Sequence, residues 1–221
     1  DEQLLRHAPE ILQRKERGGG EAGLEADDVV PLGEGQNVAD ERVRLAYAKG
    51  KGVLFFTDTH VNVDPSAAEI AESVIQAAFR LKLFGIAPKA ALVSHSNFGS
   101  SESASAQKLR DALAILRQRA PKLELEGEMH ADIALNEEAR SRIFPNSRLT
   151  GRANLLVFPN LDAANASYNL VRSVTDGVGV GPILMGLAST AHVLTPSATV
   201  RRVVNMTAIA AVDAQIRASR G

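Results

Sequence analysis

From Lys51 onward, short apolar runs alternate with longer stretches in which apolar residues recur every three or four positions. Val53-Leu54-Phe55-Phe56 is a short apolar run stopped by the polar Thr57-Asp58-Thr59, which predicts a buried strand. Asp64-Pro65-Ser66 predicts a turn and a helix start, with the Ser66 hydroxyl accepting from a free amide of the first turn. Behind it Ile70, Val74, Ala77, Ala78 and Leu81 share one helical stripe; Gly85 ends that helix and Pro88 prevents a restart. Ala90-Ala91-Leu92-Val93 predicts the next strand, and a helix over about 104–119 turns Leu109, Leu113 and Leu116 to the core. Leu123 and Leu125 alternate with Glu124 and Glu126, the pattern of a strand with one wet face. A helical stretch near 136–143 leads to a turn at Pro145-Asn146, a buried strand at Leu155-Leu156-Val157-Phe158 and a helix near 163–173. A Gly-rich turn at 177–181, a short strand at His192-Val193-Leu194 and a last helix over about 197–218 complete the series. That last helix is expected to bury Val200, Val203, Val204, Thr207, Ala211 and Ala214.

Strand and helix alternating at this spacing predict an α/β fold, a mainly parallel sheet with helices on both faces and right-handed crossovers. Ligands of such sheets bind beyond the carboxyl ends of strands. That rule selects Thr57–Asp64, Ser94–Ser101 and Pro159–Asn165. Residues 1–50 have a different texture, with eleven acidic and seven basic side chains and the run Gly18-Gly19-Gly20. Leu4, Leu5, Ile11 and Leu12 mark one helical face, which the glycines end; 13–40 reads as a loop or poorly ordered connection.

Composition narrows the classes. With 45% hydrophobic and 23% charged residues in 221, the chain is an ordinary globular sequence. A net charge of −1 gives no electrostatic reason to bind nucleic acid. The absence of Cys excludes disulfides, a thiolate nucleophile and Cys-ligated metal sites, and is neutral about compartment. No apolar run reaches the roughly 18 residues that span a bilayer, so no membrane partner is expected. The start Asp1-Glu2-Gln3 lacks the basic and apolar pattern of a signal peptide.

The candidate chemistry lies in the three selected segments. Ser94, His95, Ser96, Asn97, Gly99 and Ser100 follow an apolar strand and lead into a helix, a setting in which backbone N–H groups can hold a phosphate or carboxylate. The same composition also suits a polar connection with no ligand. Asn160, Asp162 and Asn165 either cap the following helix or orient a polar ligand. Asp58 with His60, and His130 with Asp132, are possible acid–base pairs, but neither has a third ligand at a metal-site spacing, so no metal is expected. Gly177-Val178-Gly179-Val180-Gly181-Pro182 does not match G-x-G-x-x-G and reads as a turn. Arg201-Arg202 is either a phosphate clamp or a pair of solvated arginines at a helix start.

Across about residues 53–218 these motifs resemble the phosphate acetyltransferase family. They are especially similar to the phosphotransacetylase-like C-terminal part of large bacterial NADP-dependent malic enzymes. The carrying stretches include F-F-T-D-T-H-V-N-V-D-P, A-L-V-S-H-S-N-F-G-S-S, G-E-M-H-A-D-I-A, A-N-L-L-V-F-P-N-L-D-A-A-N, V-G-P-I-L-M-G-L and H-V-L-T-P-S-A-T-V-R-R-V-V-N-M-T-A. The resemblance implies a three-layer fold of the isocitrate/isopropylmalate dehydrogenase-like type. Residues 51–195 would be its second domain, 196–221 a C-terminal helix packed on the first domain, and 1–50 a possible remnant of that first domain, so that the chain is a fragment or lacks most of it. It also implies acetyl-CoA or CoA as a non-covalent ligand and a malic-enzyme catalytic domain in the same polypeptide. A homodimer or higher homo-oligomer in the cytoplasm follows from the same resemblance.

Active members of the family have Ser-Arg-Gly near the start of the last helix and an Asp six positions after that Arg. The matching residues here are Thr195, Pro196 and Ser197, with Arg202 at the Asp position. Thr195 keeps a hydroxyl, while Pro196 and Arg202 remove a guanidinium and reverse a charge. The expectation is a non-catalytic or weakly catalytic domain binding acetyl-CoA as an allosteric effector, with Ser94, His95, Ser96, Asn97, Gly99, Ser100, Asn160, Asp162, Asn165 and Arg202 as contacts. The alternatives are an active phosphate acetyltransferase using Thr195, and a dimerisation module. Malic-enzyme chemistry itself is not expected within these residues, which hold no nicotinamide fingerprint and no carboxylate cluster for a divalent metal.

Overall fold

The computed structural model describes residues 41–48, 52–175, 178–187, 189–196 and 198–218. The helical face at Leu4–Leu12 and the connection at 13–40 lie outside the described residues. In chain order the elements are β1 (Glu41–Ala48), β2 (Gly52–Thr57), α1 (Ala67–Leu83), β3 (Lys89–Val93), α2 (Ala104–Arg119) and β4 (Glu124–Met129). They continue with α3 (Ala131–Leu135), α4 (Glu137–Ile143), β5 (Leu155–Val157), α5 (Leu161–Val174), β6 (Val178–Met185) and α6 (Val200–Ala218).

The strands form one sheet in the order β4-β3-β5-β2-β1-β6. β2, β3, β4 and β5 are parallel, and β1 runs antiparallel to both of its neighbours, β2 and β6. The sheet is therefore mainly parallel, as the alternation predicts. Its two faces are separately covered. Phe55, Leu92 and Val157 pack with Ile70, Val74 and Leu81 of α1 and Leu109 and Leu116 of α2. Phe56, Leu156 and Met129 pack on the other face with Ile133 of α3 and Tyr168 of α5. Adjacent residues of one strand point to opposite faces, so Phe55 and Phe56 anchor both layers, each fully buried.

Local signals explain most boundaries. Ser66 and Glu69 form a reciprocal capping box at the start of α1. Ser103 accepts from Ala106 N–H at the start of α2, and Asn160 from Ala163 N–H at the start of α5.

Five expectations are corrected. Glu41–Ala48, within the segment read as atypical, is a strand deep in the sheet. From Val178 on, the Gly-rich stretch read as a turn belongs to β6, an edge strand of the described sheet, where Pro182 costs no ladder bond on the open side. Gly179 is there for packing, since a Cβ would lie 2.3 Å from the Tyr168 hydroxyl. His192-Val193-Leu194, read as a strand, is an irregular segment between β6 and α6. The predicted wet face of β4 holds at Glu124, which is partly exposed, but not at Glu126, which is buried and accepts from Arg117 Nη2 at 2.9 Å and Arg148 N–H at 3.0 Å.

The fifth correction concerns α6. Its buried face is Met206 and Asp213, and Met206 and Ile209 pack on Val180 and Ile183 of β6. Val200, Val203 and Val204 are 81%, 42% and 52% exposed, and Thr207, Ala211 and Ala214 are exposed as well. The apolar stripe is real but points away from the described body.

Candidate functional site

The loop Ser94–Ser101 leaves the carboxyl end of β3 beside the end of β4, held by Ser94 N–H to Met129 O at 2.8 Å and Phe98 N–H to Glu128 O at 2.7 Å. Beneath it lies the fully buried Glu128 carboxylate. Its Oε1 accepts from Ser96 Oγ at 2.6 Å, Gly99 N–H at 3.0 Å and Arg110 Nη1 at 3.1 Å. Ser96 thereby donates its hydroxyl proton, so the 3.1 Å contact between Ser96 and Ser100 has Ser100 as donor. Ser100 Oγ in turn accepts from Asn97 N–H at 2.9 Å. Gly99 has φ +87°, a left-handed conformation that glycine adopts without strain.

Burial pushes the Glu128 carboxyl up, but the Ser96 hydroxyl, the Gly99 amide and the Arg110 guanidinium outweigh it and hold the group below its ordinary 4.5. The carboxylate is thus a fixed internal anion, and the loop is wound around it.

The amides offered by the sequence to an external anion are spent inside. Ser96 N–H donates to Ser94 Oγ, Asn97 N–H to Ser100 Oγ, Gly99 N–H to Glu128 and Ser100 N–H to Asn97 O. Side chains remain for a ligand. His95 is exposed, with Nε2 3.3 Å from both Ser101 Oγ and Ser103 Oγ. Asn97 Oδ1 accepts from His130 N–H, and His130 Nε2 lies 2.8 Å from His95 O, so the two histidines of different segments meet. Phe98 stacks on Phe144 with ring centroids 4.4 Å apart, fixing the loop from its apolar side.

The first and third segments are also joined. Asp58 is buried with φ +43°, and its carboxylate accepts from the N–H groups of Val61 and Asn62. Asn165 Nδ2 donates to Thr59 O at 3.0 Å, and Leu161 N–H to Val63 O at 3.1 Å. His60 Nδ1 lies 3.1 Å from Thr59 Oγ1. Asn160 is the α5 cap, and Asp162 is exposed in the first turn, where the helix dipole favours a negative charge. Among the described residues no group of three or more His, Asp or Glu is placed to hold a metal ion.

Arg202 and Thr195 stand apart from this cluster. Arg202 Nε donates to Gly181 O of β6 at 3.0 Å. β6 is four strand positions from β3, roughly 19 Å at the usual strand spacing. Thr195 is exposed in the irregular segment before α6, and its carbonyl accepts from Ala198 N–H at 2.9 Å. The sequence reading missed two organising residues. Glu128 was visible only as a charge at the end of an otherwise buried strand. Arg140, 1% exposed, donates to the carbonyls of Ile133, Ala134, Leu149 and Gly151, and no spacing in the sequence marks it.

Comparison with known proteins gives this geometry a context. The chain is 52% identical over 182 residues to the NAD-dependent malic enzyme of Rhizobium meliloti, covering 82% of this chain and 24% of that enzyme. It is 54% identical over 165 residues to the NADP-dependent malic enzyme of Escherichia coli, covering 74% of this chain and 22% of that enzyme. Against the phosphate acetyltransferase of Paracoccus denitrificans, identity is 40% over 164 residues, 74% of this chain and 52% of the other. The chain thus spans about a quarter of the malic enzymes and about half of that acetyltransferase. The fold superposes on the EutD phosphotransacetylase from Staphylococcus aureus with a TM-score of 0.75 at 30% identity, over 81% of this chain and 56% of that one. No described helix is long and apolar enough to cross a membrane. The family profile for phosphate acetyl/butaryl transferases matches residues 30–211, and the chain belongs to that family.

Proposed function

We propose that this chain is the phosphotransacetylase-like part of a malic enzyme and acts as its regulatory module. It binds acetyl-CoA or a related acyl-CoA, non-covalently, as an allosteric effector and has little or no transferase activity. The observation that carries this reading is Arg202. By resemblance to the family it occupies the place of an Asp, and its guanidinium is directed onto the Gly181 carbonyl. A cation cannot take the proton of a thiol. The neighbouring Pro196 supplies neither a charge nor an N–H where a guanidinium would stabilise developing negative charge.

The carboxyl edge of the sheet meanwhile keeps polar groups suited to a phosphate-bearing ligand. His95, Asn97 and Ser100 present side chains from one loop, and Asn160, Asp162 and Asn165 from another. Ser96 and Gly99 support the loop through Glu128. Likeness to malic enzymes over a quarter of their length supports a catalytic domain in the same polypeptide. A cytoplasmic homodimer or higher homo-oligomer completes the reading. Effector binding would then change malate affinity, and malate would change effector affinity by the same factor.

Calorimetric titration of acetyl-CoA into the chain, and malate kinetics of the parent enzyme with and without acetyl-CoA, test the reading. Saturable binding and a changed malate response are expected. No binding at millimolar acetyl-CoA would overturn it. The exposed Thr195 hydroxyl supports a second reading, an active phosphate acetyltransferase. Formation of acetyl-CoA from acetyl phosphate, abolished by Thr195→Ala, would establish that activity and displace the first reading.

A further inference from the structure

Helix α6 buries a charge and exposes its valines. Asp213 is 5% exposed, whereas Val200 on the same helix is 81% exposed. The Arg80 guanidinium of α1 grips Asp213 Oδ1. His192, from the irregular segment after β6, places Nε2 at 3.4 Å from Asp213 Oδ2. The three side chains are 11%, 6% and 4% exposed for Arg80, Asp213 and His192. The other ring nitrogen of His192, Nδ1, accepts from Leu184 N–H of β6 at 3.3 Å. A ring that accepts at Nδ1 carries its proton on Nε2, which lies beside Asp213 without forming an aligned hydrogen bond to it.

One carboxylate therefore joins α1, α6 and the segment after β6, and one imidazole joins that segment back to the sheet. A second tie runs the same way: Arg217 of α6 donates to Leu187 O at 2.8 Å. The apolar contact of α6 is one small cluster, with Met206 and Ile209 set against Val180 and Ile183 beside Phe84 and Leu194. A helix so held depends on a few charged contacts, and breaking a buried pair leaves an uncompensated charge.

We infer that Arg80, Asp213 and His192 form a buried ionic latch that positions both the segment bearing Thr195 and the helix bearing Arg202. When the latch is broken, residues 186–218 loosen as one unit while the parallel sheet stays closed. His192 and Asp213 are positioning residues in this account, acting on the place of Thr195 and Arg202 without touching a ligand.

Hydrogen exchange read by mass spectrometry on the full 221-residue chain tests this without any ligand. Asp213→Asn is expected to speed exchange in peptides from 186–218 by about tenfold or more, with β3, β4 and β5 unchanged. His192→Phe should do the same. His192→Asn, whose amide supplies one acceptor and one donor, should restore protection. Nitrogen NMR of the wild-type ring should show Nδ1 unprotonated and Nε2 protonated. In an Arg80→Met/Asp213→Leu background, where the charges are replaced by apolar groups, adding His192→Phe should speed exchange less than it does in the wild type, because only the acceptor of the Leu184 amide is then lost. The latch is overturned by unchanged exchange in 186–218, by equal acceleration throughout the sheet, by a proton on Nδ1, or by an undiminished His192→Phe effect in the charge-free background.

Discussion

At the β4 end of the sheet a carboxylate is sealed from water with three donors on one oxygen. At the β6 end, valines are left uncovered by the described residues while a helix is held by an aspartate. Glu128 is surrounded by its own loop and the side chain of one neighbouring helix, so its partners come from residues 96–110. Asp213 gathers partners from residues 80 and 192, on separate elements. The first arrangement builds a preformed loop out of local contacts. The second ties distant pieces with few apolar contacts beneath them. Stability therefore should be high at the β4 end and low around α6, and the low-stability end is where moving parts of proteins are usually found.

The sharpest way to break this contrast is to remove the charge at the stable end. Glu128→Ala leaves Arg110, Ser96 and the Gly99 amide without their acceptor. A loss of about 3 kcal/mol is expected, as for a broken buried pair. Denaturant unfolding should register it in the global midpoint, and NMR should show the 94–101 loop disordered. A global midpoint within error of wild type would mean that the carboxylate does not organise this end. Next in size, Gly127→Ala should cost about 2 kcal/mol, because the new Cβ would sit 2.7 Å from Leu92 Cβ at a φ of +152°. It strikes the same strand pair, β3 and β4, and should again lower the global midpoint. Met206→Ala, at the weaker end, should cost about 2 kcal/mol locally as a cavity forms. That loss should appear as faster exchange in α6, with the sheet transition little moved.

Acid distinguishes the ends by a different route. Glu128, Glu124 and Glu69 all titrate below their ordinary 4.5 in the folded chain. For Glu69 the Ser66 amide and hydroxyl do this; for Glu124 the Thr150 hydroxyl and amide and the Lys89 charge outweigh burial. A depressed folded value means stability that is fully present above 4.5 and is lost as pH falls through the lower folded values. Thermal unfolding should therefore weaken below pH 4.5, and Glu128→Gln should flatten that acid limb. An unchanged limb in the variant would remove Glu128 from the account.

The contrast also explains what could be read from the chain. The α/β alternation, the parallel core and most helix limits followed from period and caps, because Ser66, Ser103 and Asn160 act on residues three positions away. The polar loops were found because they follow apolar strands. Glu128 and Arg140 were not found, because their partners are chosen by tertiary contact and a charge in a sequence reads as exposed. The glycines of β6 read as a turn in the sequence because Gly179 answers to Tyr168, a residue on another element. Asn160 is a cap, yet capping leaves its place in the edge cluster intact. Thr195 is marked by resemblance alone and Arg202 also by its place in the Arg201-Arg202 pair, and their separation from the Ser94–Ser101 loop is a fact of strand order.

The smallest expected effect is the most informative about the weak end. Val200, Val203 and Val204 supply the stripe that the period predicted to be buried, and the described body does not cover it. If water is its neighbour, Val200→Lys/Val204→Lys should change the unfolding free energy by less than about 0.5 kcal/mol, the usual range for exposed substitutions. Helix propensity differs little between the two residue types, so it adds only a few tenths. If another surface covers the stripe, each lysine must be desolvated against it, and the cost rises to kcal/mol per residue with a change in assembly. Sedimentation of wild type and variant across protein concentration, beside thermal unfolding, separates the outcomes. Equal masses and equal midpoints place the valines in water. A smaller mass for the variant shows that the period was right about burial and that the covering surface comes from a second copy.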